Sequence, residues 1–161
     1  MEMRILNYAT ELLQIKMAQK LLKHPDQINS SSVTEVLNMW RFAKKKYLEE
    51  NVMGEGQEYV FSDTFGVIRP RMSSQEQNLQ LSNSTRDYPD FVELIVTWAK
   101  QEFDVMKTFP FTTFTINGGL KTKMHRDINN AGTSCIIGLG DYKQGRIFYW
   151  DQDNKNSHWM I

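Results

Sequence analysis

The pattern of apolar residues changes its period once along this chain, and that change limits the fold more than any other feature. Up to about residue 107 the apolar residues mostly recur at helical steps of three and four, apart from one strand-like run at Tyr59–Arg69. After Phe103 the aromatic and β-branched content rises, and Phe109–Ile116 is typical of a strand. Helices followed by strands indicate an α+β fold with a mostly antiparallel sheet.

Two of the three predicted helices have clear apolar stripes. The first covers Met3–Leu22, and the proline after His24 ends it because proline cannot continue the hydrogen-bond ladder. Its stripe consists of Leu6, Ala9, Leu13, Met17 and Leu21. Another helix covers Pro89–Glu102, with proline in its first turn. Its buried side is predicted to hold Phe91, Leu94, Ile95 and Trp98.

A further helix is predicted to begin at Ser32, because Ser32 and Glu35 have capping-box spacing. Its buried face would consist of Val33, Val36, Leu37, Trp40, Ala43 and Tyr47, so the helix would continue to about Tyr47. The polar stretch Met72–Asp87 is predicted to be a loop. Near the end of the chain, Thr133–Leu139 and Arg146–Asp151 are predicted to form a β-hairpin.

Composition excludes several classes of function. The chain has 161 residues, 40% of them hydrophobic, which suffices for the core of one domain. Its 19 Lys and Arg balance 19 Asp and Glu, which argues against a nucleic-acid binder that depends on overall positive charge. Cys135 is the single cysteine, so a disulfide framework and a multi-cysteine zinc site are excluded.

The distribution of apolar and charged residues also bears on the cellular location of the protein. No apolar run approaches the roughly 20 residues that a membrane span needs. The first 23 residues carry Glu2 and Glu11 within their apolar pattern, which does not fit a signal peptide. Together with the lone cysteine, this predicts an intracellular protein of the cytoplasm or nucleus, with no membrane partner.

The short motif with the most chemical content is His125-Arg126-Asp127. In a strand, side chains two positions apart point to the same face, so His125 and Asp127 would project together. An imidazole beside a carboxylate provides two ligands for a divalent first-row metal, as in the 2-His-1-carboxylate site of non-haem Fe(II) oxygenases. The triplet alone is a weak signal, because a surface histidine in a turn is the ordinary alternative.

The residues around this motif extend the pattern over roughly 110–151, about a quarter of the chain. Asn117 precedes the motif, the Asn-Asn-x-Gly-x-Ser turn of Asn129–Ser134 follows it, and an Ile-Ile-Gly-Leu-Gly run and a strand after Gly145 come next. In this order the run resembles a largely protist branch of the 2-oxoglutarate- and Fe(II)-dependent dioxygenases. That branch is related to thymine and 5-methylcytosine oxygenases and, more distantly, to prolyl hydroxylases.

The resemblance implies N-terminal helices packed on a partial double-stranded β-helix, or jelly roll, in one domain overall. Residues 1–107 would form the helical part that supports the sheet, and residues 108–161 the N-terminal portion of the oxygenase core. His125 and Asp127 would bind Fe(II). Asn117 would contact the co-substrate 2-oxoglutarate or orient a ligand, unless it only forms a turn before Gly118-Gly119.

The family also places a distal histidine, and then an Arg or Lys that pairs with 2-oxoglutarate, after the first two ligands. His158 is the sole histidine after Asp127, and we interpret it as a non-ligand because neither Arg nor Lys follows it. The chain is therefore expected to be a C-terminally truncated dioxygenase or a fragment of one, acting on a nucleic acid or a protein. Two alternatives stay open: a catalytically inactive, oxygenase-like binding module, and a helical interaction protein whose function lies in residues 1–107.

Overall fold

The computed structural model of the chain describes residues 2–45, 54, 56–69, 79–123, 133–141, 143, 147–150 and 157–160, with the backbone alone for 2–10, 147–150 and 157–160. The α-helices are α1 (Glu2–Leu22), α2 (Ser30–Met39), α3 (Asn83–Asp87) and α4 (Pro89–Glu102). The strands are β1 (Lys44–Lys45), β2 (Val60–Ile68), β3 (Gln80–Leu81), β4 (Thr113–Gly118), β5 (Ile147–Trp150) and β6 (Ser157–Met160). Short 3-10 helices cover Pro25–Gln27 and Asp104–Lys107. The α+β class is confirmed.

The chain divides into two compact units. The first comprises Met1–Tyr47 with Glu58–Leu120, and holds all four α-helices and strands β1 to β4. The second comprises Leu48–Gln57 with Lys121–Ile161, and holds β5 and β6. In the first unit, β1, β3 and β4 each pair antiparallel with β2, and this sheet stays open in the part of the chain described. No helix among the described residues has the length and apolarity needed to cross a membrane.

The core of the first unit lies between the helices and one face of this sheet. Phe65 on β2 is fully buried, and its ring centroid lies 5.9 Å from that of Trp40, 5.2 Å from Phe91 and 5.0 Å from Phe114. Burial of such a ring contributes about 1.5–3 kcal/mol. The side of α4 predicted to be buried is confirmed, since it holds Phe91, Leu94, Ile95 and Trp98.

The buried side of α1 differs from the predicted stripe. Leu21 is buried as predicted, but Leu13 is 54% exposed. Gln14 and Ala18 are buried instead, at helical spacing from Leu21. Apolar residues occur on more than one side of α1, so periodicity alone does not identify the buried side. The packing of α1 against α2 and α4 selects the side that carries the small Ala18.

Helix α2 begins earlier than predicted, because Asn29 rather than Ser32 is its N-cap. The Asn29 Oδ1 accepts hydrogen bonds from the Ser31 and Ser32 amides at 3.0 and 3.1 Å. The Ser32 hydroxyl in turn accepts from the Asn29 amide at 3.0 Å. A capping box therefore exists, but Ser32 is its third helical residue and not its cap.

The same helix also ends earlier than predicted, since Trp40 already has extended backbone at its C-cap. Ala43 is exposed, and Lys44–Lys45 forms strand β1 on β2. The apolar pattern that predicts helix as far as Tyr47 is overridden, because the Ala43 amide donates to the Asp63 carboxylate at 3.2 Å and its carbonyl accepts from Ser62 at 3.1 Å. The predicted loop is also partly wrong, because it contains β3 and α3.

We expect Asn29→Ala to lower the free energy of unfolding by about 1 kcal/mol, because two amides of the first turn lose their acceptor. Urea denaturation followed by circular dichroism measures the loss. Asn38→Ala is the matched control, because Asn38 is exposed and lies within α2. An equal loss in both variants would contradict the role given to the cap.

Strand β5 has a different partner from the predicted one. Tyr149 pairs with His158 in a β5–β6 hairpin, whereas residues 133–139 belong to no helix or strand. Ile136, at the centre of that segment, is 71% exposed. The Asp- and Asn-rich residues 151–156 have the composition of a turn, which favours return of the chain onto β5. The predicted pairing of Thr133–Leu139 with this strand is therefore wrong.

Candidate functional site

The two faces of the β2–β4 ladder have different chemistry. Asp63 and Phe65 face the helices, as their contacts with Trp40 and Ser84 show. Because side chains alternate along a strand, the residues between them belong to the opposite face. That opposite face carries the paired residues Ser62 with Asn117 and Thr64 with Thr115.

This second face, which we call the hydroxyl face (Ser62, Thr64, Thr115 and Asn117), is polar along its length. The Thr64 and Thr115 hydroxyls lie 3.2 Å apart across the two strands. Ser62 is buried, whereas Thr115 and Asn117 are exposed. A β2–β4 face lined by hydroxyls and an amide contributes little to an apolar core, and offers donors and acceptors to a polar ligand.

Asn117 is the one predicted site residue that the structure describes. It lies in β4, and the backbone turns later, at Gly119, where φ is +61°. Asn117 is thus a strand residue on the hydroxyl face, and the alternative of a turn-forming asparagine is not supported. Its exposed amide combines a carbonyl acceptor with an NH2 donor, which suits contact with a carboxylate-bearing molecule.

His125 and Asp127 lie outside the described residues, so their predicted pairing as metal ligands stays a prediction. Among the residues that are described, no group of three or more His, Cys, Asp and Glu side chains is placed to hold a metal ion. His158 belongs to β6, with only its backbone described.

The chain that leads to the His125 motif is held by backbone contacts. The Lys121 carbonyl accepts from the Gly54 amide at 2.9 Å, and the Lys121 amide donates to the Gln57 Oε1 at 3.1 Å. A Cβ at Gly54 would lie 2.9 Å from the Lys121 Cβ, so glycine permits this close approach. Thr122 then forms an isolated β-bridge. Lys121 is therefore held to Gly54 and Gln57 by hydrogen bonds.

On the helix side of the sheet, a buried carboxylate joins three parts of the chain. Asp63 is 8% exposed, and its Oδ2 accepts from the Trp40 indole at 3.1 Å and from the Ala43 amide at 3.2 Å. The Ser84 hydroxyl donates to Oδ1 at 3.4 Å. This carboxylate thereby fixes the end of α2 and the start of α3 against β2.

Next to this carboxylate, Tyr88 donates a short hydrogen bond to Glu11. Burial, followed in importance by that hydrogen bond, raises the pKa of the Tyr88 phenol to about 12. The phenol therefore remains protonated, and remains a donor to Glu11, throughout the physiological range of pH.

Glu11 and Tyr88 form part of the wall of a pocket of about 230 Å³ on this helix side. Its other lining residues are Gln14, Trp40 and Arg41. Gln14 is 4% exposed, and its Nε2 has no hydrogen-bond partner in the described part of the chain. Sequence reasoning missed this pocket, because it assigned the buried side of α1 to Leu13 and treated Trp40 as an ordinary core residue.

Comparisons of this chain with protein-family models, with curated proteins and with solved structures find no match. Its function must therefore be argued from its own residues.

Proposed function

We propose that this chain is an Fe(II)- and 2-oxoglutarate-dependent dioxygenase domain, or a portion of one, that oxidises a C–H bond of a nucleic acid or a protein. The observation that carries the proposal is the order of residues from Asn117 through His125-x-Asp127 to the glycine-containing segments that follow. Imidazole nitrogen and carboxylate oxygen are a donor set that suits Fe(II). The described fold supports the proposal in two ways.

First, the helices pack on one face of an antiparallel sheet, and the β2–β4 part of the opposite face carries hydroxyl and amide side chains. In a jelly roll, a second sheet packs over such a face and the space between the sheets holds the site. The four-stranded sheet around β2 would be one wall of a partial double-stranded β-helix, with helices α1 to α4 outside it. The hydroxyl face would then line the site.

Second, Asn117 lies on that hydroxyl face, shortly before the His125 motif in the sequence. The Asn117 amide would donate to a carboxylate of 2-oxoglutarate, and the Thr64 and Thr115 hydroxyls would offer further hydrogen bonds to polar groups.

When bound, iron with 2-oxoglutarate and O2 would supply the oxidising chemistry of this family, with succinate and CO2 as co-products. His125 and Asp127 would hold the metal, and the negative charge of Asp127 would offset part of the metal's positive charge. The protein orients the co-substrate and substrate, and its polar wall contributes the contacts that exclude wrongly placed ligands.

The test measures succinate formed from 2-oxoglutarate by the purified chain with Fe(II) under air, together with the Fe(II)-dependent rise in melting temperature. We expect both signals in the wild-type chain and their loss in His125→Ala and Asp127→Ala. His24→Ala is the matched control, because His24 is exposed at the end of α1.

Equal succinate formation in the wild-type chain and in His125→Ala would contradict the assignment of the ligands. Absence of both signals in the wild-type chain would instead favour the inactive binding module.

A further inference from the structure

The pocket on the helix side is lined by two residues of opposite charge, Glu11 and Arg41, and by Gln14, Trp40 and Tyr88. Arg41 already has another contact, but a guanidinium has five N–H donors, so Arg41 can bind a ligand as well. A carboxylate has about four acceptor positions, so Glu11 can accept further hydrogen bonds beside the one from Tyr88. A pocket lined by one negative and one positive side chain favours a ligand that carries both charges. The electrostatics of this pocket therefore match a zwitterion.

The aromatic part of the wall is fixed. The Trp40 ring stacks on Phe91 with centroids 3.9 Å apart, and it contacts Tyr88 edge to face at 4.8 Å. Its indole N–H is already used by Asp63. Trp40 therefore presents only apolar ring surface, and the Tyr88 hydroxyl is held on Glu11. The wall is preorganised, so a ligand loses little free energy to ordering it.

Gln14 is a second, independent indication that the pocket binds a polar ligand. Its side chain lines the pocket and is almost completely buried, and its Nε2 donor has no partner among the described residues. A buried donor without an acceptor is costly to the fold and is rare in native proteins. An acceptor oxygen on a bound molecule would satisfy it.

The size of the pocket limits the ligand further. A volume of about 230 Å³ lies below the roughly 300–1,000 Å³ typical of sites for drug-sized ligands. A nucleotide is too large for such a space. A free amino acid with a small side chain has the needed ammonium and carboxylate groups one carbon apart.

We propose that this pocket binds a small free amino acid, with its ammonium group on Glu11, its carboxylate on Arg41 and the Gln14 amide, and its side chain against Trp40. The site lies on the helix side of the sheet, whereas Asn117 lies on the hydroxyl face. The proposal is therefore independent of the oxygenase assignment and needs neither iron nor 2-oxoglutarate.

The test titrates the iron-free full chain with L-alanine, L-serine, L-valine and L-leucine separately, with calorimetry and melting temperature as readouts. We expect saturable binding of at least one of them, and a melting temperature that rises with ligand concentration as mass action requires. Ethylamine and propionate, which each carry one of the two charged groups, are expected to bind at least about tenfold more weakly. Binding by none of the four amino acids overturns the proposal, as does equal affinity for propionate.

Variants locate the binding site. Glu11→Gln and Gln14→Met are expected to raise the Kd about tenfold each, because each removes one polar contact to the ligand. Glu35→Gln is the matched control, since Glu35 is exposed on α2 and does not line the pocket. An equal effect of Glu11→Gln and Glu35→Gln would place the binding elsewhere. His125→Ala is expected to bind the amino acid with unchanged affinity, which separates this proposal from the oxygenase.

Discussion

Replacement of Gly66 by alanine is expected to lower the free energy of unfolding by about 3–5 kcal/mol, because two separate costs coincide at this residue. Gly66 has a φ of +103°, a region that L side chains rarely adopt. A Cβ at this position would also lie 2.1 Å from the Thr112 carbonyl oxygen, so either the backbone of β2 or the backbone around Thr112 would have to move.

That movement would also disturb hydrogen bonds that hold α3 to the sheet. The Gly66 amide donates to the Thr85 hydroxyl at 2.7 Å, and the Gly66 carbonyl accepts from the Ser82 amide at 2.9 Å. Urea denaturation measures the effect, with the midpoint expected to fall and the m-value to stay constant.

Gly119→Ala is the control that separates the two costs at Gly66. Gly119 also has a positive φ, +61°, but among the described residues, its own chain neighbours aside, no atom lies within 4 Å of the Cβ that alanine would add. We expect Gly119→Ala to lose only about 1–2 kcal/mol. Equal losses in the two variants would show that the close approach at Thr112 has no effect on stability.

Asp63→Ala is expected to lower the free energy of unfolding by about 3–4 kcal/mol. The substitution leaves the Trp40 indole N–H and the Ala43 amide without their common acceptor. The buried indole N–H without a partner costs about 1–3 kcal/mol, and loss of the part-buried hydrogen bond from the Ala43 amide adds about 0.5–1.5 kcal/mol. The near-ultraviolet circular dichroism and the fluorescence of Trp40 should also change, because the end of α2 is no longer fixed.

Asp63→Asn tests whether acceptor geometry or charge matters more at this position. Its carbonyl oxygen can accept both hydrogen bonds, and its NH2 group can donate to the Ser84 hydroxyl in the reversed sense. We expect a loss of only about 1–2 kcal/mol, which reflects weaker hydrogen bonds to a neutral acceptor. Asp26→Ala, at an exposed position, should stay within about 0.5 kcal/mol of the wild-type chain. A larger loss in Asp63→Asn than in Asp63→Ala would contradict the network.

Elements decided by local sequence were predicted well. Helix α4 was predicted for Pro89–Glu102, and the structure has the same bounds, because a proline in the first turn and a strong apolar stripe agree with each other. Strand β2 was predicted as Tyr59–Arg69 and extends over Val60–Ile68, because its β-branched and aromatic residues favour extended backbone.

Elements decided by distant contacts were predicted poorly. The apolar spacing of α2 continues past Trp40, but a carboxylate 23 residues further along the chain accepts from the Trp40 indole where the helix ends. Helix α3 has five residues, too few for an apolar stripe, and its one local signal is the Ser82 hydroxyl that accepts from the Thr85 amide at 3.1 Å. Local composition contains no information on such partners.

The candidate sites differ in the same way. The motif at His125 and Asp127 was found from residue type and spacing, which is information that a sequence carries, and its geometry remains a prediction. Asn117 is a strand residue because β4 pairs with β2. The sequence pattern predicts a strand only as far as Ile116, one residue before Asn117. The pocket on the helix side joins α1 to residues that follow α2 and precede α4, so sequence spacing offers no signal for it.

The pairing of β2 with β4 has a consequence for the order of folding. Thr64 and Thr115, which contact each other across these strands, are 51 residues apart in the sequence. Closing a segment of that length costs conformational entropy before any native contact forms, and topologies of this kind fold slowly. Because α4 lies within the closed segment and its Phe91 ring packs on Phe65, we expect early docking of α4 on β2 to shorten the loop that must close before β4 pairs.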